Sequence, residues 1–369
     1  MKISFPIMST SYIAFKRFIE ELGHEPIVPP RPTNRTLTLG VKYAPEFACV
    51  PFKILLGTYI EACEMGTELI ITSGGVGPCR AGYYGVMHKK ILRDMGYNVE
   101  ILVFEPPQID LWDFFQKVRY VLKLNRLPFL EFLRAVKRAW LKLGVLDDVE
   151  YLSHEIRPYE LNKGETTRVF NKCLEMIDEA RTSDEIKEAK EESIKLLKAI
   201  PQDSSRDPLK VGIIGEIYVV LEPFANFDVQ VTLGEMGVYT HRSIWLRTWT
   251  LGNTFMRWEE NKIRKAAKPY LDQLVGGHGQ NSVGETVLYA KKGYDGVIHL
   301  APFTCIPEIV AKSILTRVSK DYDIPVLTLF IDEQTGKAGV VTRLEAFVDL
   351  MKEKRRIRSG IRNESVPGY

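Results

Sequence analysis

The stretch Glu68-Leu69-Ile70-Ile71-Thr72-Ser73-Gly74-Gly75-Val76-Gly77-Pro78-Cys79-Arg80 decides the fold. A short apolar run of β-favouring residues, bounded by glycines, reads as a strand buried on both faces, the kind found in parallel sheets. A helical pattern follows from about Gly82 to Met95, then a second strand from Val99 to Phe104. Working outward toward the N-terminus, Lys2 to Met8 reads as a strand, a helix runs to Leu22, His24 to Val28 is again strand-like, and Pro51 to Glu64 is helical. Strands alternating with helices make a parallel α/β lobe over residues 1–107.

Pro106-Pro107 closes that lobe. From Asp110 to about Leu143 the apolar residues recur at helical spacing, interrupted by Pro128, and a second helical stretch runs from Lys163 to Ile200. Its mixed-charge part, Arg181 to Lys198, reads as a solvated face with ion pairs three and four residues apart. Pro201 to Pro208 is a linker, so residues 108–208 form a helical insert. Alternation resumes with strands at Val211–Val220 and Tyr239–Leu246, helices at Asp228–Met236, Arg257–Val275 and Val283–Lys292, strands at Gly296–Leu300 and Val326–Phe330, and a closing helix from Val341 to Arg355. Residues 209–369 are thus a second α/β lobe. The expected fold class is α/β, with two parallel-sheet lobes of the Rossmann or flavodoxin kind, a helical insert, and a site in the cleft between the lobes.

Length supports two cores, since 369 residues exceed what one core usually serves. With 50 basic and 47 acidic residues and a formal charge of +3, nothing in the balance attracts nucleic acid or an anionic membrane globally. The basic run Lys352 to Arg358 reads as a solvated helix end complementing the helix dipole. No apolar run approaches the roughly 20 residues of a membrane span, and MKISFPIMST lacks the layout of a signal peptide, so a soluble cytoplasmic protein is expected. Five cysteines suit reduced thiols better than a disulfide framework.

Three of those cysteines share a local context. Cys49 and Cys305 both stand in Cys-x-Pro, before Pro51 and Pro307, and proline favours the first turn of a helix. Each therefore sits at a helix N-terminus, where unpaired N–H groups and the positive dipole end favour a thiolate. Cys79 follows a strand through Gly74, Gly75 and Gly77, and again precedes a helix. All three occupy strand-to-helix turns at the carboxyl edge of a parallel sheet, where such sheets place ligands. The glycines let backbone N–H groups approach an anion such as sulfide or phosphate. Cys63 and Cys173 lie inside helices and read as packing residues. The spacing matches neither a ferredoxin run nor a zinc ribbon, so the residues alone leave both a metal site and three packed thiols open. Gly74 to Gly77 lacks the dinucleotide spacing GxGxxG. His299, in an apolar strand, reads as a core histidine, and Gly276-Gly277-His278-Gly279 as a polar loop that walls a site or simply turns.

The motifs Ala48-Cys49-Val50-Pro51-Phe52-Lys53, Ser73 to Arg80, Gly215-Glu216-Ile217-Tyr218 and Asp295 to Glu308 together resemble the cluster-bearing components of 2-hydroxyacyl-CoA dehydratases and benzoyl-CoA reductases. The resemblance extends especially to the relatives termed CoA-substrate-specific enzyme activase or double-cubane cluster proteins. The resemblance covers nearly the whole chain. It implies a 4Fe-4S cluster on Cys49, Cys79 and Cys305, with the fourth iron bound by water, substrate or sulfide. One chain does not carry the fuller cysteine set expected of a double cubane, so either two chains pool their cysteines for one or, the preferred reading, the site holds one ordinary cubane. It also implies an anaerobic, ATP-dependent partner reductase of the actin, Hsp70 and sugar-kinase fold, a homo- or heterodimer, and an acyl-CoA substrate dehydrated through a ketyl radical or reduced. The enzyme would then be a dehydratase-like lyase or a low-potential reductase component; the alternative is an electron or cluster carrier with no organic substrate. Departures are plain: CoA-binding determinants are not recognisable, and the chain has no Walker A pattern, so ATP use belongs to the partner. Arg80 is the candidate for stabilising negative charge on cluster or substrate, and Glu216 and His278 are candidate polar groups of the site.

Overall fold

Sheet formation follows the apolar runs. In the computed structural model, which describes residues 1–75, 77–107, 109–254 and 258–360, two four-stranded sheets form, every pairing parallel. The first holds β1 (Lys2–Ser4), β2 (Glu25–Pro26), β3 (Leu69–Ser73) and β4 (Glu100–Phe104) in the order β2-β1-β3-β4. The second holds β5 (Leu209–Gly215), β6 (Val238–Arg242), β7 (Gly296–Pro302) and β8 (Val326–Ile331) in the order β6-β5-β7-β8. The two sheets have the same connectivity, which is that of a flavodoxin-like sheet, with chain direction across the sheet reversing between β1 and β3 and between β5 and β7.

Helices cover both sheets. The first lobe carries α1 (Tyr12–Glu21), α2 (Asn34–Tyr43), α3 (Val50–Glu64) and α4 (Tyr84–Asp94). The insert comprises α5 (Leu111–Asn125), α6 (Phe129–Ile156), α7 (Glu165–Glu179) and α8 (Ser183–Lys198). The second lobe has α9 (Ile217–Leu221), α10 (Pro223–Asn226), α11 (Val229–Glu235), α12 (Leu246–Thr254), α13 (Trp258–Ala267), α14 (Gly279–Lys291), α15 (Ile306–Asp321) and α16 (Lys337–Arg358). Among the described residues no helix is long and apolar enough to cross a membrane.

Each element has a local cause. Pro128 stops the pattern after α5 and caps α6, as a proline without an N–H must. Thr182 and Glu185 form a reciprocal capping box at the start of α8, whose buried face is Ile186, Ala189, Ser193 and Leu197 while Lys187 pairs with Asp184 on the solvated side. The insert's core, built from α6, α7 and α8, takes in Ile13 and Ala14 of α1 and so fastens the insert to the first lobe. The lobes share core as well: Val50 and Ile54 of α3 are buried among Val211, Ile213, Ile298 and Leu344 of the second lobe. Lys53 is buried beside them, and its ammonium meets Glu333 at 2.7 Å.

Two strand ends expected in the second lobe are corrected, besides the helix expected to reach Val275, which ends at Ala267, and the first strand, which ends at Ser4 rather than Met8. The strand read as Val211–Val220 stops at Gly215, because Gly215 takes φ +139° and Glu216 then caps α9 through the Val219 N–H. A side chain at residue 215 would press on Leu300 O at 2.0 Å, so only glycine permits β5 and β7 to approach this closely. The strand read to Leu246 ends at Arg242, and Leu246 opens α12. Val76, and the expected helix start at Arg257, lie outside the described residues, as do the last nine positions of the second lobe. The basic helix end is solvated and also paired: Arg355 with Asp207 and Asp295, Lys354 and Arg358 with Asp323, Lys352 with Asp349, and Arg356 with Glu353.

Candidate functional site

Cys49, Cys79 and Cys305 are all helix N-caps with extended backbone, at φ −69°, −73° and −76°. Pro51 and Pro307 stand in the first turns of α3 and α15. Cys79 leads first into a 3-10 turn, Arg80–Tyr83, and through it into α4. Cys79 follows β3 and Cys305 follows β7, the corresponding strands of the two sheets, whereas Cys49, expected in a strand-to-helix turn as well, lies between α2 and α3; Glu216 follows β5 beside the second reversal point.

Arg80 joins the three turns. Its guanidinium donates from Nη1 to Phe47 O at 2.9 Å, two residues before Cys49, and from Nη2 to Thr304 O at 2.5 Å, the residue before Cys305. Nη2 also reaches Thr304 Oγ1 at 3.3 Å, and that hydroxyl donates to Phe47 O at 3.1 Å. One side chain adjacent to Cys79 thus ties the Cys49 turn to the Cys305 turn across the lobes. The planar fork of arginine suits two carbonyls held at fixed spacing. Thr304 pays conformationally for this arrangement, with φ +66°, a left-handed backbone costing on the order of 1–3 kcal/mol in a non-glycine residue.

Around the sulfurs the walls are close. Tyr84 Oη lies 2.5 Å from Cys49 Sγ, and its ring packs edge-on against Phe52 at 5.1 Å. A side chain on Gly277 would meet Pro307 at 3.2 Å and Cys79 Sγ at 3.7 Å, and one on Gly276 would meet the Cys79 nitrogen at 2.9 Å. Both glycines have positive φ, +82° at Gly276 and +47° at Gly277, so the loop before α14 is pressed against the Cys79 turn and leaves open the space facing its sulfur. The glycines of the Cys79 loop have separate roles. Gly74 makes room for Glu105 and Val103, Gly75 lies against Gly82, and Gly77 alone needs its positive φ, +125°.

Electrostatics correct the expectation of ready thiolates. Burial pushes the Cys49, Cys79 and Cys305 thiols up from their ordinary value. For Cys49 and Cys79 the pull of Arg80 toward the thiolate, and for Cys49 the Tyr84 hydroxyl, do not outweigh it. The charge of Glu216 raises all three, so Glu216 and the sulfurs share one neighbourhood. Glu216 is itself pushed up to about 7 by burial, against hydrogen bonds from the Val219 and Tyr218 N–H groups. Thiols in such a setting stay protonated until a metal displaces the proton, since coordination deprotonates a thiol outright.

Beneath Cys305 lies a buried polar group that the sequence did not single out. Glu308 Oε2 meets His299 Nε2 at 2.8 Å and accepts from Ser282 Oγ at 2.8 Å, while Glu308 Oε1 is buried without a partner. His299 also contacts Thr328 Oγ1 at 3.3 Å, which makes it the satisfied core histidine its strand context suggests. His278 caps α14; burial lowers its pKa, and Glu308 and Glu260 oppose that shift. Cys63 is buried in the first lobe's core and Cys173 in the insert's, with Cys173 Sγ 3.8 Å from Ser193 O. Neither Tyr84 nor Glu308 carries a direct signal in the sequence; Tyr84 opens α4 just after the 3-10 turn that Cys79 caps, and Glu308 lies in the first turn of α15, which Cys305 caps.

Among the described residues no three His, Cys, Asp or Glu side chains converge tightly enough to hold a single metal ion. The three thiols share the field of Glu216, and Gly276 and Gly277 press against the Cys79 turn; they are the donor set that a multi-iron cluster would take, one thiolate to each of three irons. The chain matches no family model, and no curated protein compared with it is similar.

Proposed function

We propose that the chain is an iron-sulfur protein with a 4Fe-4S cluster on Cys49, Cys79 and Cys305, taking low-potential electrons from an ATP-dependent reductase and using them in the dehydration or reduction of a small substrate such as a CoA thioester. The observation that carries this is the Arg80 clip, which links the three cysteine turns, drawn from both lobes, through Phe47 O and Thr304 O. Such an investment in cross-lobe geometry, with a strained Thr304, is expected of a site rather than of three packing thiols. The motif resemblance to cluster-bearing dehydratase components supports the choice of cluster and of partner.

Bound there, the cluster would supply one-electron chemistry at low potential. The chain's own groups have distinct parts. Arg80 and the Tyr84 hydroxyl offset the negative charge of thiolates, Glu216, pushed up to about 7 by burial, gains or loses a proton near neutral pH within reach of their charge, and α3 and α15 turn their N-termini toward them. Exposed Phe47, Tyr83, Phe303 and Ile306 flank the three turns, an apolar rim of the kind on which a partner docks.

Anaerobic iron and sulfide analysis tests the assignment. The wild-type chain should hold about four irons. Cys49→Ala, Cys79→Ala and Cys305→Ala should each largely empty the site, whereas Cys63→Ala and Cys173→Ala should leave it filled. A colourless wild-type chain, or one carrying stoichiometric zinc, defeats the proposal.

A further inference from the structure

The two lobes repeat one plan, and the repeat names a fourth position. In the first lobe α3 leads into β3, and in the second α14 leads into β7, the strand with the same place in its sheet. Both helices press a glycine onto the backbone of the preceding helix. A side chain on Gly57 of α3 would meet Thr36 O of α2 at 1.9 Å, and one on Gly284 of α14 would meet Ile263 O of α13 at 2.2 Å. The turns after β3 and β7 present Cys79 and Cys305. The N-cap of α3 is Cys49, and the N-cap of α14 is His278. Two pairs of caps result, Cys79 with Cys305 after the strands and Cys49 with His278 at the starts of α3 and α14; Cys49 precedes Gly57 by eight residues and His278 precedes Gly284 by six, and together the pairs carry three cysteines and one histidine.

Packing puts the fourth cap beside the others. Residues 276–279 wedge between two of the cysteine turns: Gly276 lies against Cys79, Gly277 against both Cys79 and Pro307, and a side chain on Gly279 would meet Pro307 O at 2.4 Å. Glu308, the third residue past Cys305, acts on both Cys305 and His278. The rings of His88, His241 and His299 are taken up by Phe52 O, Tyr289 Oη and Glu308. The His278 ring makes no hydrogen bond among the described residues. His278 is half-buried, and a neutral imidazole whose ring nitrogen is not already hydrogen-bonded is a competent iron ligand, as histidines on iron-sulfur centres show generally.

We infer that His278 is the fourth protein ligand of the centre, through a ring nitrogen, completing a Cys3His set contributed equally by the two lobes. This rests on the iron-sulfur proposal above and closes the coordination position that three cysteines leave open. A small substrate would then reach iron only by displacing the imidazole.

The test is nitrogen hyperfine spectroscopy on the full chain, produced with 15N-labelled histidine, reconstituted anaerobically with ferrous iron and sulfide, and reduced. Wild-type protein should show a histidine nitrogen strongly coupled to the reduced cluster. His278→Ala should lose that coupling, and His278→Cys should lose it while keeping about four irons, a thiolate replacing the imidazole. A filled cluster with no histidine coupling, or with coupling that survives His278→Ala, overturns the assignment while leaving the three-cysteine site intact. A chain that assembles no cluster overturns the iron-sulfur proposal itself, and the iron count tells the two failures apart.

Discussion

Replacing Arg80 is the perturbation that bears most directly on how the site is assembled. Its two charged donors reach Phe47 O and Thr304 O, and both bonds lie at the surface. A hydrogen bond from a charged donor contributes on the order of 1.5–3 kcal/mol when protected, and roughly 1 kcal/mol each is reasonable after solvent screening. Arg80→Ala should therefore weaken the filled site by about 2 kcal/mol, roughly thirtyfold in cluster retention. Thr304, at φ +66°, would be released from the contact that holds it there, adding to the loss of order in the Cys305 turn. The assay is the rate of iron loss to a chelator under anaerobic conditions, with far-UV circular dichroism to confirm that both lobes stay folded. Arg80→Lys should recover only part of the loss, because an ammonium is a point charge and cannot span two carbonyls as a guanidinium does. Iron loss from a folded Arg80→Ala protein at the wild-type rate would refute the clip.

Three further outcomes follow from neighbouring contacts. Tyr84→Phe removes the hydroxyl 2.5 Å from Cys49 Sγ; losing a hydrogen bond to a ligating sulfur should shift the midpoint potential down by tens of millivolts, on the order of one charge-assisted bond, as read by redox titration. Glu308→Ala strands His299, which is fully buried, and Ser282, so thermal stability of the metal-free chain should fall by about 3 kcal/mol in a melting experiment, with Glu308→Gln losing less. Glu285, buried against Ser243, is pushed from 4.5 up to about 8 by burial, so the folded chain holds a proton the unfolded chain has released between those values. Stability should accordingly fall as pH rises from about 4.5 to 8, by a few kcal/mol, and Glu285→Gln should flatten that decline in a denaturation series.

How much the sequence disclosed depends on whether a feature is local. The Cys-x-Pro turns were legible because a proline in a first helical turn acts on its own neighbours, and Pro51 and Pro307 do stand there. Apolar runs such as Leu69–Ser73 and Gly296–Pro302 marked both sheets for the same reason. Helix α2 was hidden in a polar stretch, where the Thr33–Thr36 capping box was its available sign. The Val-rich run after Gly215 read as strand although the backbone turns there, because the constraint is the carbonyl of Leu300, 85 residues away from Gly215 in the chain by subtraction of their numbers. Thiol ionisation was misjudged because helix N-termini could be read from Pro51 and Pro307, whereas the depth of burial could not. The Arg80 clip joins residues 33 and 224 positions apart and exists only once the lobes meet. Two parallel sheets of the Rossmann or flavodoxin kind were legible in the strand-helix alternation, whereas their identical strand order was not, since the lobes repeat a topology and not a residue pattern.

Electron paramagnetic resonance of the anaerobically purified wild-type chain, recorded before and after reduction and paired with iron analysis, speaks most directly to the proposal. Cysteine turns from both lobes gathered around one inorganic centre predict a brown protein with about four irons per chain and a signal that appears on reduction by one electron. A chain without iron, or with iron that persists unchanged when Cys49, Cys79 and Cys305 are all replaced, would contradict it.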